Sequence, residues 1–189
     1  MRAQLNFVTP GAYSTQVSAP ARAVHSDLHG QFGFEQLRVQ PLAEAAWREI
    51  DERLEGREPP RWRVFNLWQM ISEPPQDVAL ALCALDSVAA DDVVEAKGFF
   101  SEPEMDVEAL LRRTDAVPQF DLTFFKENPA QRWHCFPSMQ PGETLIFSAF
   151  DPQADSRKAR VPRGAVDLPP AADRTIPRNS IEIRAMVIY

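Results

Sequence analysis

Histidine is scarce in this chain, with three among 189 residues, and cysteine is scarcer, with two. Two cysteines cannot make a disulfide framework. Cys83 and Cys135 both sit in apolar runs and are expected to be buried free thiols. Cations are outnumbered: 20 Lys and Arg face 27 Asp and Glu, the net charge is −7, and no basic stripe interrupts the pattern. Nucleic acid and anionic membrane are therefore not expected partners, because neutralising phosphates needs clustered Lys and Arg. No apolar run approaches the roughly 20 residues that cross a bilayer. The opening MRAQLNFVTPGAYS has no apolar stretch of signal-peptide length, which makes a cytoplasmic protein the expectation. Glycine is sparse at 7 residues while proline reaches 17, a balance that interrupts long helices and suits short strands joined by stiff loops.

What remains is an ordinary globular composition, 44% hydrophobic and 25% charged, at a length that suits a single domain spanning residues 1–189. The best helix is PLAEAAWREIDERLEG (41–56). Leu42, Ala46, Ile50 and Leu54 recur at every fourth position, Trp47 flanks the stripe, and Gly56 can end it. DVEALLRR (106–113), acidic at its start and basic at its end, reads as a second, shorter helix. The strands are read at 61–70, 77–88, 119–128, 131–139, 143–151 after the turn Pro141-Gly142, and 180–189. The polar, proline-rich stretch 152–177 reads as a long loop holding a short strand near 159–166. Many short strands against two helices predict a mostly β sandwich or barrel.

The stretch that carries chemistry is VHSDLHG. His25 and Asp27 stand two residues apart, so on a strand an imidazole and a carboxylate share one face. Two imidazoles and one carboxylate form the facial set that leaves open positions on Fe(II). A lone His-x-Asp is a weak signal, and its weight comes from the order of the segments after it: FNLWQM, LALCALDSV, NPAQRWHCFPSMQPGETLIFSAFD and PRNSIEIRAMVIY. With these, the chain from about Ala23 onward resembles the hydroxylase/desaturase family that includes a fungal gibberellin desaturase and a protein of the cephamycin methoxylation system. The resemblance implies a double-stranded β-helix, or jelly roll, with a few flanking helices. It implies a tailoring enzyme of secondary-metabolite biosynthesis, acting on a small-molecule substrate with Fe(II), 2-oxoglutarate and dioxygen. It implies His25 and Asp27 as metal ligands. It also implies Arg178 as the grip on the distal carboxylate of 2-oxoglutarate, assisted by the Ser180 hydroxyl; a bidentate guanidinium suits a carboxylate.

The chain departs from the family at the third metal ligand. Where the family reads Thr-Pro-His-Thr-Ala-Phe, this chain has Val161-Pro162-Arg163-Gly164-Ala165-Val166, and Arg163 keeps the family spacing of fifteen residues before Arg178. A guanidinium stays protonated and offers no lone pair to a metal. Leu28 and His29 also replace an aromatic residue and a threonine, and Ala84 and Leu85 replace an Asp-x-Arg-like pair. Two function classes follow. One is an oxygenase with an altered iron site, in which His134 completes the shell or contacts substrate. The other is a barrel that has lost iron and performs a redox-neutral cyclisation or isomerisation, with Asp27, His25 and Arg163 as acid, base and oxyanion partner. A non-catalytic ligand-binding role is a third. Arg163 can equally satisfy a buried Asp27 or hold an acidic substrate. Asn66 is a candidate hydrogen-bonding residue for a cavity ligand, and Trp62, Trp68 and Trp133 read as core or cavity wall. Nothing in the pattern fixes an oligomeric state.

Overall fold

A computed structural model of the chain describes residues 3–4, 17–18, 20–28, 33–34, 44–98, 120–155, 158–169 and 175–189. The strands are β1 (Ala3–Gln4), β2 (Val17–Ser18), β3 (His25–Ser26), β4 (Trp62–Met70), β5 (Val78–Cys83), β6 (Val93–Gly98), β7 (Phe120–Phe125), β8 (Trp133–Cys135), β9 (Thr144–Phe150), β10 (Arg163–Asp167) and β11 (Ser180–Ile188). The described α-helix long enough to pack a face is α1 (Glu44–Leu54). A six-stranded sheet runs in the order β6-β7-β3-β10-β5-β8, a three-stranded sheet in the order β11-β4-β9, and β1 pairs with β2. Every strand pairing in the two larger sheets is antiparallel. This is the predicted jelly roll, with the site between its two sheets. Among the described residues no helix is long and apolar enough to cross a membrane.

Side-chain alternation decides which residues reach the interior. Along β4, Trp62, Val64, Asn66, Trp68 and Met70 are buried while their neighbours are only partly covered. β9 breaks the alternation once: the register shifts between Val64 and Phe65, so Val64 faces Phe150 while Phe65 faces Ser148. That bulge leaves both Ala149 and Phe150 buried, which strict alternation forbids. One end of the interior is an apolar cluster of Leu28, Phe34, Trp62, Val64, Ala149, Phe150 and Ala159. α1 covers this cluster from outside with Ile50 and Leu54 of the predicted stripe and with Trp47, which flanks it. It ends where Glu55 and Gly56 take left-handed backbone angles (φ 52° and 73°), as the glycine suggested. A second apolar cluster joins Trp68, Met70, Leu80, Met139 and Phe147.

Several expectations shift. The 77–88 strand stops at Cys83, because a 3-10 turn follows at Leu85–Ser87, in which the Ser87 hydroxyl donates to the Ala84 carbonyl at 2.6 Å. The 131–139 strand shrinks to the three residues of β8, an edge strand paired on one side only. Cys83 is buried as expected, but Cys135 is exposed, and Trp133 is exposed rather than core, because the edge position leaves β8 uncovered. Within the proline-rich loop the short strand is present as β10, starting four residues later than predicted. The predicted helix at 106–113, residues 41–43 and His29 lie outside the described residues.

Trp62 stacks against Phe150 at 5.8 Å between ring centroids and against Phe34 at the same separation. Trp62→Ala is expected to lower unfolding free energy by about 3–5 kcal/mol, read as a reduced urea midpoint with an unchanged slope. A loss under about 1 kcal/mol would show that this cluster is not the packed end of the barrel.

Candidate functional site

The register of the six-stranded sheet sets one row of the site. Arg163 on β10 lies directly opposite His25 on β3 and opposite Leu82 on β5, and Leu82 lies opposite His134 on β8. Directly opposed residues of antiparallel strands project from the same face. His25, Arg163, Leu82 and His134 therefore form one line across the sheet. Strands are about 4.8 Å apart, so His134 sits about 10 Å from Arg163 at the backbone. It is exposed at the sheet's edge and does not join the His25–Asp27 pair.

The facing sheet supplies the rest. On β4 and β11, Trp68 is paired with Glu182, Asn66 with Arg184, and Met70 with Ser180. Ser180 and Glu182 are buried and Arg184 is partly covered, while the alternate residues Ile183 and Val187 are exposed. The last strand is thus inverted: its polar residues face inward. Neither Glu182 nor Arg184 was singled out from the sequence. The signal was the strict alternation of Ser180, Glu182 and Arg184 with Ile181, Ile183 and Ala185, which marks a polar interior once the apolar face is known to point out.

Four charged side chains meet between the sheets. Arg163 Nη2 donates to Asp27 Oδ2 and, at 3.0 Å, to Glu182 Oε1. Arg184 Nη2 donates to the same Asp27 Oδ2 at 2.6 Å. His25 Nε2 lies 3.6 Å from Asp27 Oδ1, and its Nδ1 lies 2.8 Å from the Ala23 carbonyl oxygen. The carbonyl can only accept, so Nδ1 carries the proton and donates, and Nε2 presents its lone pair toward Asp27. Burial alone would raise the Asp27 carboxyl, but Arg163, Arg184 and His25 together hold it well below the ordinary carboxylate range. Burial pushes Glu182 up, and Arg163 only partly offsets this. Burial opposes the charge on Arg163, yet Asp27 and Glu182 raise its pKa further above the ordinary value. His25 is held below its usual value, first by burial and then by Arg163, against the Ala23 carbonyl and Asp27.

Near this cluster, Asn66 and Arg178 have buried side-chain atoms with no hydrogen-bond partner among the described residues. Asn66 is 0% exposed, and both its amide nitrogen and its oxygen are unpartnered. Arg178 is 5% exposed; its Nε and Nη1 are unpartnered, and its guanidinium lies 5.4 Å from the Trp68 ring centre. Its backbone N–H donates to Asp77 Oδ1 at 2.9 Å, which fixes the residue at the entry to β11. Burial lowers the Arg178 pKa to about 10, against the attraction of Asp77 and Glu182. An unsatisfied buried donor costs about 1–3 kcal/mol, and more when charged, so these groups are primed for an acceptor. Beside them, Phe136, Pro137, Met139, Thr144 and Leu145 line an open groove of about 510 Å³. Leu145 is the register partner of Trp68, so the groove borders the Arg178 end of the interior.

The donor set does not make a facial iron triad. His25 and Asp27 offer two ligand atoms, Arg163 offers none, and among the described residues no three His, Cys, Asp or Glu side chains gather as a metal site. A divalent ion about 4 Å from a guanidinium would be opposed by about 4 kcal/mol per unit of its charge, even at an effective dielectric near 20.

This geometry belongs to a jelly roll with a polar interior and a buried arginine at the entry to its last strand. The chain belongs to the family described as Oxidoreductase/YMDC permease-like domain, which it matches over residues 2–188. It is 25% identical over 171 residues to the alpha-ketoglutarate-dependent dioxygenase tstK of Talaromyces stipitatus, covering 90% of this chain and 53% of that protein. It is 26% identical over 168 residues to the Fe(II)/2-oxoglutarate-dependent dioxygenase nvfI of Aspergillus novofumigatus, covering 89% and 52%. The fold matches that of the iron and alpha-ketoglutarate-dependent endoperoxidase NvfI with a TM-score of 0.62 at 21% identity, over 94% of this chain and 57% of that one. A variant of the same endoperoxidase matches with a TM-score of 0.65 at 22% identity, over 89% and 55%. The chain spans about half the length of these relatives. Their names place the resemblance among Fe(II)/2-oxoglutarate dioxygenases at large; none of them is a gibberellin desaturase or a cephamycin protein.

The His25 environment is testable by pH. Its folded pKa is lowered, so the unfolded chain binds the proton more readily. The stability from keeping His25 neutral is complete above about 6.5 and is lost as pH falls from there through the folded value. An NMR titration is expected to give His25 a midpoint below the ordinary histidine value of about 6.5. A midpoint at or above about 6.5 would contradict the buried, cation-facing position.

Proposed function

We propose that the chain is an oxidoreductase-type jelly roll that binds a small carboxylate, 2-oxoglutarate the leading candidate, at Arg178 in the space between its sheets. The observation that carries this reading is the buried Arg178 guanidinium, held over Trp68 with two nitrogens unpartnered. Such a group calls for a two-oxygen acceptor, and a carboxylate matches its fork. Ser180, buried two residues on, and Asn66, buried with its amide unpartnered, are the neighbours that finish the ligand's hydrogen bonds. The apolar groove along Phe136, Met139 and Leu145 is where the non-polar body of a substrate rests. His134, exposed on the same face, is within the reach of a substrate entering from that edge.

Fe(II) and 2-oxoglutarate enter this reading through the relatives named for them. His25 and Asp27 are the residues that would face such a metal, and Arg163 stands where the resemblance puts the third ligand. With that donor set no oxidative step is derived. A second reading, a redox-neutral cyclisation or isomerisation, is favoured by the contact of Arg163 with Asp27. In it His25 Nε2, neutral and facing the interior, is the atom that takes a proton. Residues 1–189 act in either case as one jelly-roll unit on a small molecule, with neither nucleic acid nor membrane as partner.

Arg178→Ala is expected to abolish 2-oxoglutarate binding measured by calorimetry, because the ligand's carboxylate would be buried without its cation. Unchanged affinity in the variant would remove Arg178 from the binding site. Absence of binding to the wild-type protein would overturn the carboxylate reading itself.

A further inference from the structure

We propose that guanidinium groups stand in for the metal at this site: Arg163 and Arg184 neutralise Asp27, Glu182 balances the second cation, and the cavity takes its carboxylate ligand without a divalent ion. The inference deepens the reading of Arg178 as a carboxylate grip and rests on it for the ligand, though not for the metal.

Asp27 has little left to give a metal. Its Oδ2 accepts from both Arg163 and Arg184, and only Oδ1 faces His25. Arg163 is not a side chain free to swing aside. It is 3% exposed, its backbone is paired on both flanks, and its guanidinium lies 5.7 Å from the Phe147 ring centre. Placing a permanent cation in a buried site requires a counter-charge. Glu182, 7% exposed, supplies it at 3.0 Å from Arg163. With Asp27 and Glu182 ionised, two carboxylates face two guanidinium groups. The cluster is charge-closed as it stands, whereas a divalent ion would leave it with two uncompensated positive charges. Arg178 then has no carboxylate in contact with its guanidinium among the described residues, and its charge matches one carboxylate of an incoming ligand. Glu182 and Arg184 are positioning residues in this account: they hold Arg163 and Asp27 in place and do not touch the ligand.

The test uses the full chain and two probes. 2-Oxoglutarate carries a keto oxygen that can chelate a metal beside its carboxylate; glutarate lacks it. Calorimetry in EDTA is expected to give the two probes affinities within about threefold of each other, unchanged when Mn(II) replaces the chelator. A 2-oxoglutarate affinity that rises by about tenfold or more with Mn(II), while glutarate does not respond, would overturn the inference and leave the Arg178 reading intact. If neither probe binds under any condition, the Arg178 reading fails, and metal titration alone decides the inference. Wild-type protein titrated with Mn(II), or anaerobically with Fe(II), is expected to show no site tighter than about 100 µM, and a site at about 1 µM would overturn the proposal. The double variant Arg163→His with Glu182→Gln restores a neutral imidazole and removes its orphaned counter-charge. It is expected to bind Mn(II) at least about tenfold more tightly than wild type, and no gain would mean that Arg163 does not stand at the metal's place. The wild-type measurements hold whether or not that variant folds.

Discussion

The Asp27 carboxylate, held by Arg163 from its own sheet and by Arg184 from the facing one, ties the two sheets of the barrel together. Asp27 follows the two-residue strand β3, Arg163 opens β10, and the second donor to Asp27 comes from β11 in the opposite sheet. β3 is too short to hold its place by backbone pairing alone, since only His25 and Ser26 are in register with neighbours. The carboxylate bridges what the ladder does not. An apolar cluster lies on either side of the charges, one under α1 and one around Trp68 and Phe147, and these exclude the water that would otherwise screen them. Low local dielectric makes the pairing strong and makes any lost partner costly.

One end of the interior is electrostatically self-sufficient around Asp27. Beside it, Arg178 and Asn66 are buried with side-chain nitrogens that find no partner among the described residues. On the proposed reading a ligand is drawn to Arg178 and Asn66, with His25 presenting an unprotonated nitrogen inward. The relatives explain why a jelly roll has this shape of interior; the side chains decide what this one does with it.

Much of the fold was legible because period-two alternation and turn residues state strand positions plainly: β4, β9 and β11 fall where the pattern puts them. The edge strand β8 was overread, because local sequence carries no sign of a missing neighbour, and the same blindness made Cys135 and Trp133 look buried. In the site, His25, Asp27, Arg163, Arg178 and Asn66 do converge on the interior. Glu182 and Arg184 were hidden because a strand with Ile and Val on one face is ordinarily read with that face inward. Which face turns in is decided by pairing with β4, a contact more than a hundred residues away in sequence.

The central claim is that Asp27 is neutralised by a guanidinium where a metal would otherwise do so. A double-mutant cycle between Asp27→Asn and Arg163→Gln, measured by urea unfolding in EDTA, addresses it directly. Neighbours in one buried network couple, so the cycle is expected to give an interaction energy of about 2 kcal/mol or more. Additive losses, with a coupling under about 0.5 kcal/mol, would contradict the account.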